Sequence, residues 1–100
     1  MKKFKITNAN GRKFSARIVK NGNRYGRKNC HVNNDTPMVE FYDMSVKPEL
    51  FKNGRFISSY LVSTLTENDG SSGLNLNVSN PDWSIDGQEM TKVVKWLNLI

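Results

Sequence analysis

The sequence predicts an α+β domain: a mostly antiparallel sheet opened by a β-hairpin, a C-terminal amphipathic helix packed on one face, and one further short helix. Two stretches carry that prediction. "KFKITNANGRKFSARIVK" alternates apolar and polar residues on both sides of an Asn-Gly pair, and "DGQEMTKVVKWL" repeats apolar residues at helical spacing. Between them lie short runs rich in β-branched and aromatic residues, punctuated by Gly, Pro and Asn. Residues 1–100 read as a single domain, near the common size for one hydrophobic core.

In the hairpin, Phe4 and Ile6 alternate with Lys3, Lys5 and Thr7, and Phe14, Ala16 and Ile18 alternate with Lys13, Ser15 and Arg17. Asn10-Gly11 accepts positive φ at both central positions of a tight turn. Period two then sends the apolar side chains one way and Lys3, Lys5, Lys13 and Arg17 the other. "NGNRYGRKNCH" follows as an irregular connection, Cys30 and Val32 suggest a short strand, and "NNDTP" reads as a turn with Pro37 setting its φ. "MVEFYD" is a further strand and "MSVKPELFKNG" a loop.

"RFISSYLVSTLTE" reads as a strand ending near Ser59, which caps a short helix holding Leu61 and Leu65; a continuous strand is the rival reading. "NDGSSG" is expected to be a flexible loop, and "LNLNV" a strand exposing Asn75 and Asn77. For the last helix, Asp86 is the N-cap, Glu89 completes a capping box, and Ile85 staples onto Met90. Met90, Val93, Val94 and Leu97 form its buried stripe, with Lys92 and Lys95 outside it. Packed on Phe4, Ile6, Phe14 and Ile18, this helix is expected to leave the basic face uncovered.

Composition is that of a globular chain, 37% hydrophobic and 24% charged. The net charge is +6, and it is segregated: ten of the 15 cations precede the first acid, Asp35, while the rest of the chain holds all 9 acids. No apolar core follows "MKKFKIT" to make a signal peptide, and no run is long enough to span a membrane. One cysteine excludes an internal disulfide and suits a reducing compartment. The expected setting is the cytoplasm.

Chemistry has few footholds. Cys30 and His31 are neighbours, which on a strand point to opposite faces, and no second histidine is present to act as base. Structural zinc wants four ligands, largely Cys and His, and the chain has one of each. Neither "GSSG" nor "GNRYG" has the spacing of a phosphate-binding loop. Glu40 and Asp43 fall on opposite faces of their strand, so they do not form a paired-carboxylate site. The expectation is a protein that is not an enzyme, with no catalytic residue, metal or cofactor.

Surface remains. Arg24, Tyr25, Arg27 and Lys28 combine cations with a ring able to hold phosphates and stack on a base. With Lys3, Lys5, Arg12, Lys13 and Arg17 they make up the candidate partner- or nucleic-acid-binding set. Glu67, Asp69, Asp82, Asp86 and Glu89 form a second, acidic group that can meet a basic groove on a partner. A strand at the edge of the sheet can also pair with its twin in a homodimer.

The pieces "RYGR..C", "VEFYD", "SYLVSTL", "GLNLN" and "PDWSIDGQEMTKVVKWL", in this order over roughly residues 12 to 97, resemble small accessory proteins of bacterial phages and mobile elements. That resemblance implies a stoichiometric inhibitor of host defence, of which the anti-CRISPR proteins are the best-known group. It implies a host protein or ribonucleoprotein complex as partner; a guide-RNA complex offers both phosphate backbone and lysine-lined channels. A small nucleic-acid-binding module using the basic hairpin and "RYGR" is the alternative, and an enzyme with an unrecognised motif the third.

Overall fold

The computed structural model describes residues 3–20 and 37–99. Alternation pairs β1 (Lys3–Thr7) with β2 (Lys13–Lys20) antiparallel, in a register that sets Phe4 opposite Ala16 and Ile6 opposite Phe14. The turn between them differs from the expected two-residue form. Gly11 N–H donates to the Asn8 carbonyl and Asn8 N–H to the Arg12 carbonyl, both at 3.0 Å, and only Gly11 has positive φ, at 83°. This is a type I turn closed by a left-handed glycine. Asn8 explains the change: its Oδ1 accepts from the N–H of Asn10 at 3.0 Å and of Arg12 at 2.9 Å, so the loop closes around that side chain.

β3 (Pro37–Asp43) pairs with β2 and β4 (Arg55–Leu61) with β3, all antiparallel, giving the order β1-β2-β3-β4. Ala16 faces Phe41, Ile18 faces Val39, and Tyr60 of β4 faces Val39 in turn, so four strands contribute to one apolar face. A register shift between Phe41 and Tyr42 interrupts the β3–β4 ladder. The strand-then-helix reading of 55–66 holds, but the boundary moves. Ser59 pairs with Glu40 inside β4 and caps nothing; the short helix α1 (Val62–Thr66) starts from Leu61 with no side-chain cap. Pairing as far as Met38–Leu61 carries the strand past the expected cap.

The expected short strand around Cys30 and the 33–36 part of the expected turn lie outside the described residues, and Pro37, expected to close that turn, is instead the first residue of β3. "NDGSSG" is not a loose loop. Gly70 is buried, and a Cβ there would stand 2.7 Å from the Met90 carbonyl oxygen; one on Gly87 would meet the Ser71 carbonyl at 2.0 Å. Only glycine permits that approach to the start of the last helix. β5 is cut to Leu74–Asn75, paired with β6 (Ser84–Ile85), because Asn75, Asn77 and Asn80 each turn the chain by accepting from the N–H two residues on. Val78 is left 88% exposed.

α2 (Gly87–Asn98) buries Met90, Val93, Val94 and Leu97, the stripe the sequence predicts. These join Ile6, Phe14, Ala16, Val39 and Phe41 in one core, and Phe4 meets Trp96 with ring centroids 5.3 Å apart. Each large apolar side chain so buried contributes about 1.5–3 kcal/mol. The capping box does not form. Asp86 occupies the N-cap position without a side-chain bond, and Glu89 instead accepts from Lys92 at 2.8 Å.

A basic hairpin face and the polar networks beneath it

Lys3, Lys5, Lys13 and Arg17 owe their positions to strand parity. Lys3 stands opposite Arg17 and Lys5 opposite Ser15, all on the face turned away from α2. Lys13 is two residues from Ser15 on the same face, placing it diagonal to Lys5 and about 7–8 Å away. Lys3, Lys5 and Lys13 are exposed, and none has an acidic partner among the described residues.

Arg17 points the expected way but is not uncovered: only 8% of it is accessible. Its guanidinium lies 3.8 Å from the centre of the Tyr42 ring and donates to the Asn53 carbonyl, with a longer bond of 3.4 Å to Ser15 Oγ. β3 supplies the ring from the adjacent strand, and loop 44–54 folds back to supply the carbonyl. The Tyr42 hydroxyl in turn donates to Glu40 at 2.9 Å, and Glu40, Tyr42 and Ser15 are all buried on this face. The expectation of a wholly uncovered basic face is therefore corrected. A desolvated cation over a ring gains about 2 kcal/mol, enough to draw a long side chain inward.

Arg12 is also committed internally. It donates from Nε to Asp43 at 2.9 Å and again from Nη2, and it is 31% exposed. Asp43, fully buried, ends β3 on the apolar side of the alternation. Its carboxylate further accepts from Trp83 Nε1 at 2.8 Å and from Ser45 N–H at 2.9 Å. Burial alone pushes the Asp43 carboxyl upward, but the bonds from Arg12, Ser45 and Trp83 outweigh it and hold it below its ordinary value. The same pairing raises Arg12. Next to them Asn8 donates from Nδ2 to the carbonyls of Asp82 and Ser84, both at 3.0 Å, tying the hairpin turn to the β5–β6 ribbon.

Asp43, Asn8 and Trp83 belong to no sequence-predicted site. A signal for Asp43 does exist in the sequence: in "VEFYD" it shares parity with Val39 and Phe41, and a charge on an apolar face needs a partner. Parity also separates Glu40 from Asp43, as expected. Arg24, Tyr25, Arg27 and Lys28 lie outside the described residues, as do Cys30 and His31.

Of the acidic group, Glu67, Asp69 and Asp82 are exposed; Asp69 accepts from Ser71 N–H at 2.8 Å and sits below its usual value through the bonds from Ser71. Asn10, Gly11, Arg12, Ser45 and Asp82 border an open depression of about 210 Å³, smaller than the roughly 300–1,000 Å³ of ligand pockets. Among the described residues no three His, Cys, Asp or Glu side chains gather to hold a metal, and no helix is long and apolar enough to cross a membrane. The chain matches no known protein family, no curated protein and no solved structure.

Proposed function

We propose that the protein is a non-enzymatic binding domain that sets the basic face of its first hairpin on a phosphate-bearing host nucleoprotein complex and blocks it by occupying that surface, as expected of a phage or mobile-element accessory protein of the anti-CRISPR type. One observation carries the reading. Lys3, Lys5 and Lys13 project together from a single hydrogen-bonded ladder, exposed and without an acidic partner among the described residues. Because the ladder fixes their spacing, a phosphate backbone meets three cations at once, and each contact releases counterions. Lysines on an edge strand also deter strand pairing, so the variants below separate the two roles.

The test measures anisotropy of labelled single-stranded DNA, duplex DNA and RNA across a salt series, beside inhibition of a purified guide-RNA effector. The expected result is weak binding to all three nucleic acids, erased by salt with a slope near 2.7 log units per log unit of salt on duplex DNA for three contacts, together with inhibition that the triple variant Lys3→Glu, Lys5→Glu, Lys13→Glu abolishes. Tight, selective binding to one naked nucleic acid favours the nucleic-acid module instead. A triple variant equal to the parent in both assays overturns the hairpin as the docking face.

A further inference from the structure

Loop 44–54 closes over Arg17, and Met44 is the residue with which it begins. The Met44 N–H donates to the Lys13 carbonyl at 2.8 Å, which fixes the start of the loop beside β2. Its sulfur accepts from Arg17 Nη2 at 3.5 Å, and the same nitrogen donates to the Asn53 carbonyl near the loop's end. The sulfur also lies against Gly54, so close that a Cβ on that residue would collide with it. Met44 is nonetheless 40% exposed, whereas Met90 is 2% exposed in the core and Met38 is half-buried in β3. A reachable thioether thus faces a buried guanidinium. As a thioether it is only a weak acceptor for that cation.

We propose that Met44 is a site of reversible oxidation by hydroperoxides, and that Arg17 receives the sulfoxide oxygen. In the step, a sulfur lone pair attacks one oxygen of the peroxide and the O–O bond breaks. Sulfur is oxidised by two electrons, the peroxide is reduced, and the proton of the transferred oxygen passes to the leaving oxygen. Hydrogen peroxide yields water, and an alkyl hydroperoxide its alcohol. Sulfoxide reductases restore the thioether.

A sulfoxide normally disrupts its surroundings, because a polar group replaces an apolar one. At Met44 the donor is already in place. The S=O oxygen accepts more strongly than sulfur does, and a hydrogen bond from a charged donor is stronger than a neutral one. Asn53 need not give up its bond, since Nη2 carries two hydrogens. Oxidation therefore tightens the tie between the start of the loop and β2. This inference does not rest on the docking reading and is tested on the protein alone.

Limited hydrogen peroxide treatment of the full chain, followed by peptide mass spectrometry, reads the order of reaction. Met44 is expected to oxidise several times faster than Met38 and far ahead of Met90. A treatment that converts Met44 and leaves Met38 and Met90 reduced is expected to keep or raise the parent's thermal midpoint. The same treatment is expected to lower the midpoint of Arg17→Ala, where the new oxygen has no donor; the coupling between the two changes is the quantity sought. In the parent, the Arg17 Nε–H resonance is expected to move on oxidation and to return after sulfoxide reductase. Met44→Gln, which supplies a carbonyl acceptor without oxidation, is expected to unfold at or above the parent's midpoint. Met44 reacting no faster than Met90 overturns the proposal. So does an Arg17 resonance that oxidation leaves unmoved, or a midpoint lowered equally in the parent and in Arg17→Ala.

Discussion

Arg12, in the turn before β2, and Arg17, within it, sit five residues apart, and both leave the surface that the charge pattern assigns to them. Arg12 goes to a buried carboxylate with two donors. Arg17 goes to a ring and a neutral carbonyl. Inward-turned cations are thus held in two ways in one small protein, one by a direct ion pair and one by a ring and a carbonyl, with the buried Glu40 opposite it on the next strand. The difference decides how each responds to mutation and to acid. It also sets both apart from Lys3, Lys5 and Lys13, which are exposed and have no acidic partner among the described residues.

Removing the carboxylate breaks the comparison most severely. Asp43→Asn leaves Arg12 with a neutral partner and is expected to cost about 3–5 kcal/mol, the usual penalty for opening a buried pair; urea unfolding measures it. The pH dependence has a definite sign. Because the folded-state value of Asp43 lies below its ordinary 3.8, its stabilisation is complete above that value and is lost as pH falls through the lower one. Asp43→Asn should remove this part of the acid-induced loss of stability, and a titration of the unfolding midpoint from pH 6 to pH 2 would reveal it.

Asn8→Ala removes two acceptor and two donor bonds beside the same arginine, and a loss of about 2–3 kcal/mol is expected. Arg17→Ala should cost about 2 kcal/mol by forfeiting a desolvated ring contact and a charged hydrogen bond, and its acid-side loss should begin where the parent's does. A variant whose acid transition moves with Arg17 would show that the two arginines share one network. The smallest effect belongs to Lys92→Ala. Its pair with Glu89 is exposed, and exposed pairs rarely register, so the unfolding midpoint should not move.

What the sequence reveals is what local spacing determines. Period two identifies β1, β2 and their faces, and 3.6 identifies Met90, Val93, Val94 and Leu97, because a ladder or a helix fixes those directions within a few residues. The turn form depends on the Asn8 side chain overriding the Asn-Gly pair, while the end of β4 and the burial of Arg17 depend on groups that arrive from elsewhere: the Met38 backbone for Leu61, and the Tyr42 ring with the Asn53 carbonyl for Arg17. Asp43 and Arg12 are 31 residues apart and Asn8 and Ser84 are 76 apart, so no window along the chain contains both members. Within the candidate site the three lysines were legible by parity alone. The two arginines were not, since parity gives a direction and leaves open what lies there.

The ties from Asn8 to Ser84 and from Phe4 to Trp96 also bear on how the chain is made. Synthesis runs from the N-terminus, so all four sheet strands are translated while Val93, Val94 and Leu97 do not yet exist. The apolar face must wait, open, for a helix that comes last. Its exposure time is set by elongation and by a long-range closure of the kind that slows folding, which makes the nascent chain more vulnerable to aggregation than the finished domain.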